Sequence, residues 1–194
     1  MPQFDLRGIK IANYVNTAGT ITYTNPQTLG DAMNVNLEVR VAEGRLYAES
    51  TLAEYMRKIV GGTISIGVKY IPVAAQKVIF GSTEKSRNIT VGTTTSSVSS
   101  LVVGGKDTPV YVGVAFYAPD MIDGNLKYTA VKVARTLFGQ PSMSLQTAGE
   151  NIVFNTPTVT GEFLADNSTG QVLTETAILD SEDAAKAWVN AVLQ

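Results

Sequence analysis

Four short stretches of this chain carry residue types that could do chemistry. Ser82-Thr-Glu-Lys85 has the Ser-x-x-Lys spacing with which a lysine activates a serine nucleophile. Gly104-Gly105-Lys106 holds the glycines and lysine of a phosphate-cradling loop. Asp120, Asp123 and Asn125 offer oxygens of the kind calcium gathers, and Glu162 with Asp166 offers two carboxylates of the kind that divide acid and base roles. Each pattern stops short. Ser-x-x-Lys lacks its companion Ser-Asp-Asn and Lys-Thr-Gly elements. The phosphate loop has Ser100 where glycine is required and Asp107 where Ser or Thr is required. The acidic spacing is not that of an EF-hand loop, and Asp-Gly-Asn is sufficiently explained as a turn. Glu162 and Asp166 lack the polar surroundings that would push two pKa values apart.

The chain contains no histidine and no cysteine. That removes the commonest general base and metal ligand, together with disulfides and thiolate zinc. No catalytic residue, metal ligand or cofactor site is expected. At 194 residues, one domain over 1–194 is the simplest reading, burying roughly 70% of its unfolded surface. Fifteen Lys and Arg against seventeen Asp and Glu leave a formal charge of −2, with no basic cluster to hold a phosphate backbone. The N-terminal ten residues lack a basic segment followed by an apolar one, and no apolar run approaches the ~18 residues of a membrane span. A secretory leader and a membrane-spanning segment are not expected; Asn88-Ile-Thr90 and Asn167-Ser-Thr169 are then accidental sequons.

Alternation of apolar and polar residues, the pattern of half-buried strands, dominates the chain. It runs over Gly8 to Val15. It then sets Met33, Val35, Leu37, Val39 and Val41 against Asn34, Asn36, Glu38 and Arg40. Residues 42–60 break it, and a connection of that length is more often functional than idle. Gly61 and Gly62 restart it, with Ile64, Ile66, Val68 and Tyr70 against Thr63, Ser65, Gly67 and Lys69. Pro72 to Phe80 reads as a packing helix with Gly81 just past its end. Residues 82–107, rich in Ser, Thr and Gly, read as a flexible surface loop with room for one short hairpin. Strands are predicted over Pro109 to Tyr117, Leu126 to Phe138 and Asn151 to Leu164. A helix over 180–193 has Ser181 as cap and Ala185, Trp188 and Val192 as its apolar stripe, Trp188 being the core anchor.

Several of these pieces, taken in order, resemble the major tail tube proteins of long-tailed bacteriophages and prophages, the group from Gram-positive hosts. They are Leu46-Tyr-Ala, Leu52-Ala-Glu-Tyr55, Gly61-Gly-Thr-Ile-Ser-Ile-Gly-Val68, Ile71-Pro72, Pro109-Val-Tyr-Val-Gly-Val114, Tyr128, Gly149-Glu-Asn-Ile-Val-Phe-Asn-Thr-Pro-Thr-Val-Thr-Gly161 and Trp188. The departures lie in the Ser/Thr-rich loop and in the connector 166–180. The resemblance implies a mainly β fold, a β-sandwich or distorted barrel with a flanking packing helix and a C-terminal helix. It also implies hexameric rings stacked into a tube for DNA delivery, in a virion tail assembled in the host cytoplasm. Tape measure, tail terminator and distal tail or baseplate proteins are the implied partners.

On this reading Asn34, Asn36, Glu38, Arg40, Thr63, Ser65 and Lys69 are candidates to face the bore; alternation alone does not tell a bore from bulk solvent. Residues 42–60 are the candidate inter-ring arm, with Glu43, Arg45, Tyr47, Glu49, Glu54 and Tyr55 as contacts; the plain alternative is an exposed loop. A tube from a tail-like bacteriocin or a secretion system would have the same sequence properties. An extracellular carbohydrate-binding or adhesion β-sandwich would need exposed aromatic rows, and the chain has one Trp.

Overall fold

A computed structural model of the chain describes residues 5–105, 107–141, 156–166, 168–170 and 175–194. The fold is mainly β, with antiparallel pairing throughout and two helices. In chain order the elements are β1 (Arg7–Thr17), β2 (Thr20–Thr28), β3 (Ala32–Ala48), β4 (Thr51–Val68), α1 (Val73–Phe80), β5 (Thr83–Val91) and β6 (Thr94–Val102). They continue with β7 (Val112–Ile122), β8 (Asn125–Phe138), β9 (Thr158–Leu164), β10 (Glu175–Leu179) and α2 (Glu182–Ala191). One sheet runs β2-β1-β7-β8-β9-β4-β3 with β10 also on β8, and β5–β6 form a separate hairpin.

β8 determines how the layers divide. Its first half pairs with β10, Tyr128 to Lys132 against Leu179 to Glu175, and its last residues, Thr136 to Phe138, pair with β9. β7 lies on its other side from Asn125 to Thr136. The sheet therefore forks along β8, and β9-β4-β3 become a second layer. Between the layers lies the larger core. Ile9, Ile11, Val114, Phe116 and Val133 meet Ile64, Ile66, Val159 and Phe163, with Val78, Ile79 and Phe80 of α1. Because successive strand residues point to opposite faces, the alternate positions Ala12, Ala115, Tyr117 and Ala130 form a second core under Ala185, Val189 and Leu193 at the C-terminal helix.

The helix ends follow local chemistry. Pro72 caps α1 without a side-chain bond. Gly81, at φ 64°, closes the other end with its N–H on the Lys77 carbonyl, in the left-handed conformation that glycine adopts without a Cβ penalty. The buried face of α1 is Ala75, Val78, Ile79 and Phe80, while Val73 is exposed. Ser181 Oγ accepts the Ala184 N–H (3.2 Å) at the start of α2. Trp188 is half-buried against the second core, and the residues that enter it fully are Ala185, Val189 and Leu193. The stripe is rotated from the predicted one because the helix meets the sheet along its 185–189–193 line.

Other expectations are corrected. Residues 42–60 are not a loop: β3 and β4 stay paired from Ala32–Val68 out to Ala48–Thr51. Alternation is lost there because neither face is buried, whereas backbone pairing needs no buried face. Residues 82–107 contain a full hairpin, Thr83–Val102 to Val91–Thr94, built on β-branched Thr, Val and Ile and a turn at Gly92. β2 and β10, for which no strand is expected above, are strands, and the alternation of Ile21 and Tyr23 with Thr20, Thr22 and Thr24 was a signal for the first. The predicted strand over Asn151 to Leu164 is β9 from Thr158; residues 151–155 lie outside the described residues.

Asp166 fastens the end of β9 to β1. It is buried and accepts the Tyr14 hydroxyl (2.9 Å), the Thr169 hydroxyl (2.6 Å) and the Ser168 and Thr169 N–H groups (3.1 and 3.2 Å). Burial pushes its carboxyl pKa up, but the bonds from Thr169, Ser168 and Tyr14 together outweigh this and hold it below the ordinary value. A depressed folded-state pKa contributes stability above the unfolded value near ~3.9 that is lost as pH falls through the folded one. Asp166→Asn is therefore expected to cost about 1–3 kcal/mol at neutral pH and to flatten the acid limb of a urea-unfolding pH series. An acid limb unchanged from the parent would refute this role.

Candidate assembly surface

The second layer has one dry face and one wet face, and the wet one gathers most of the candidate bore residues. Pairing aligns Asn34 with Gly67 and Thr158, Asn36 with Ser65 and Thr160, and Glu38 with Thr63 and Glu162. Arg40 follows, opposite Gly61. The side chains are linked across strands. Asn34 Oδ1 accepts the Gly67 N–H (3.0 Å), Ser65 and Thr160 share a hydroxyl bond (3.3 Å), and Asn36 Nδ2 donates to Glu38 (3.2 Å). Arg40 Nη2 donates to Glu162 (3.2 Å). Asn34, Asn36, Glu38, Arg40, Thr160 and Glu162 are exposed, whereas Thr63 and Ser65 are half-buried.

Thr158, Thr160 and Glu162 were not among the candidates. Their alternation with Val159 and Phe163 was the signal that could have found them. Lys69 lies beyond the end of β4, and its ammonium meets Asp31 at 3.7 Å.

Past Arg40 and Gly61 the same two strands leave the body as a two-stranded arm. Its pairs run from Val41–Ile59 to Ala48–Thr51, with Val60 bulged out at its root. At about 3.3 Å per residue, the eight residues from Val41 to Ala48 give it a reach of roughly 25 Å. On one face Glu43 meets Arg57 (3.5 Å) and Arg45 (3.6 Å), and the Arg45 guanidinium lies 5.6 Å from the Tyr55 ring centre. A hydrogen bond to Glu43, followed by burial, raises the Tyr55 hydroxyl pKa above its ordinary value.

The arm contacts expected from the sequence are thus divided. Glu43, Arg45 and Tyr55 are brought together, Glu54 stands opposite Leu46 on the other face, Tyr47 stands opposite Leu52 near the tip, and Glu49 occupies the turn. Much of the rest is exposed hydrocarbon. Met56 is 73% exposed and Tyr47 61%, with Leu46, Leu52, Ile59 and Val60 also open to solvent. These side chains are spread over both faces of the arm, Leu46 and Met56 on the face of Glu54 and Tyr47 and Leu52 near the tip.

The chemistry-bearing stretches are used otherwise. Ser82 is buried, while Lys85 is exposed on β5. Asp107 closes a turn on Gly104, accepting its N–H at 2.8 Å; Lys106 lies outside the described residues. Asp123 sits in the β7–β8 turn and Asp120 receives Thr129 within the strand pair. Glu162 lies on the wet face, and Asp166, contrary to the expectation that it lacks polar surroundings, is buried among the hydroxyl and N–H groups of Tyr14, Ser168 and Thr169. Among the described residues no three His, Cys, Asp or Glu converge as a metal site, and no helix is long and apolar enough to cross a membrane. Family models match no part of the chain, and no curated protein matches it.

The arm turn stores strain. Glu49 (φ 51°) and Ser50 (φ 65°) both occupy the left-handed region that a two-residue type I′ turn demands and that Asn-Gly fills at least cost. Glu49→Asn with Ser50→Gly is expected to stabilise the arm locally by about 1 kcal/mol, slowing amide exchange in residues 45–55 about fivefold. Unchanged exchange there would show that the turn does not limit opening.

Proposed function

We propose that this chain is a structural virion protein that self-assembles into stacked hexameric rings, forming a phage tail tube through which DNA is delivered. The observation that carries this reading is the β3–β4 unit. This hairpin supplies most of the wet-faced layer, a sheet edge with no further strand beyond it among the described residues, and a projecting arm with exposed apolar side chains. β3 is a 17-residue edge strand. Such an edge invites pairing with another chain, and a head-to-tail contact that closes by rotation makes a ring. On this reading the fold is of the tail tube type. The wet face of β3, β4 and β9 lines the bore, and the arm reaches the neighbouring ring.

The polar strip suits a conduit. Its described charges, Glu38, Glu162 and Arg40, are two acids to one base, and six chains at −2 carry −12 per ring. Attraction for phosphate needs clustered cations, so DNA would pass such a lining without being held. The role is mechanical and needs neither catalysis nor cofactor. The tube would belong to a virion tail assembled in host cytoplasm, beside the tape measure, terminator and distal tail or baseplate proteins. The same parts would serve a tail-like injection particle.

Negative-stain imaging and sedimentation of the purified chain at rising concentration test this reading, with rings or hollow tubes expected. A monodisperse monomer at every concentration would overturn it. Replacing residues 45–55 by Asn-Gly joins the paired positions Gly44 and Met56 with a favourable turn. That variant should keep the parent thermal unfolding curve yet form no stacked tubes, and tubes of normal length from it would exclude the arm.

A further inference from the structure

Two hairpins stand clear of both cores, the arm and β5–β6, and their charge and apolar character are complementary. In β5–β6 the residues Lys85, Arg87, Ile89 and Val91 share one face with Val98 and Val102. Lys85 and Arg87 are exposed, and neither has an ion-pair partner among the described residues. The opposite face is held at its base, where Glu84 meets Lys77 of α1 at 2.8 Å. That contact directs the basic face away from the helix. Between residues 85 and 100 there are two cations and no acid.

The distal arm is the inverse. Between residues 46 and 56 there are two acids, Glu49 and Glu54, and no cation. Glu54 shares a face with Leu46 and Met56, and Glu49 sits in the turn beyond them. Lys58 lies on that face too, but nearer the body.

We propose that the tip of one copy's arm docks on the basic, apolar face of β5–β6 of another copy. Glu49 and Glu54 then stand against Lys85 and Arg87, while Leu46 and Met56 cover Ile89, Val91 and Val98. The inference rests on the tube reading for its setting, the adjoining ring, and adds the receptor for the arm. It has a physical reason on each side. A lone two-stranded hairpin is marginally stable in water, so each hairpin gains by covering the other. Opposed charges fix which faces meet.

Charge reversal tests the pairing. Lys85→Glu with Arg87→Glu, or Glu49→Lys with Glu54→Lys, should raise the critical concentration for sedimentable tubes about tenfold or more, since two attractions become repulsions in every subunit. All four changes together should return it to within about threefold of the parent. Unfolding curves matching the parent would show that the body is intact. Tubes from either double variant at the parental concentration, or loss of tubes without recovery in the fourfold variant, would overturn the pairing while leaving the tube reading in place.

A second measurement holds whether or not tubes form. The chain has no cysteine, so oxidising a concentrated mixture of Glu54→Cys and Arg87→Cys proteins should give a covalent heterodimer. Absence of that heterodimer would refute the contact.

Discussion

The ring of Phe163 lies against Gly62, and on that contact the second layer depends. A Cβ at position 62 would collide with the Phe163 ring and with the Glu38 carbonyl oxygen. Only glycine therefore lets β9 and β3 close on β4 at this point. Gly62 is paired with Phe163 on one side and Val39 on the other. The contact thus helps set the register of three strands at once. A slip of one residue would send every side chain to the other face, putting Ile64 and Ile66 in water and Thr63 and Ser65 into the core. The wet strip is the necessary reverse of the buried phenylalanine.

Legibility in the sequence followed burial. Where one face is packed, as at Val35 and Leu37 of β3 and in β4 from Gly62 to Val68, alternation located both the strand and its wet residues, although Met33 and Val39 on the apolar side of the same pattern are exposed. The first helix was legible for a different reason, Pro72 and Gly81 marking its ends by backbone chemistry. Where nothing is packed, alternation has no cause. The arm and the β5–β6 hairpin accordingly read as connector and loop, though their backbones pair as regularly as any in the sheet. β10 is not legible in the sequence because it covers only part of β8 with five residues. The wet side of β9 was visible in Thr-Val-Thr-Gly-Glu-Phe, but no single strand announces which other strands it will stand beside.

The C-terminal helix shows how a small apolar surface can suffice when polar groups fix the geometry. Glu182, in the first turn of α2, receives the Tyr117 hydroxyl (3.1 Å), Arg7 (3.2 Å) and Lys186 (3.2 Å). Burial first, then the bond to Glu182, push the Tyr117 pKa up to about 12, so the tyrosine remains a donor across the physiological range. The acidic group also sits at the positive end of the helix dipole. Three elements, β1, β7 and α2, are thereby referred to one carboxylate.

β8 belongs to both layers, and that gives the fold a mechanical property. A pull along the wet layer is passed from β9 to β8 by a ladder loaded along its strands. In that direction the bonds resist together rather than opening one by one. From Phe138 to Asn125 the load then travels through the covalent backbone into the layer beneath α2. The two faces of the molecule are joined by a tie rod, and separating them would require breaking strand pairing, whatever the softness of the packing between them.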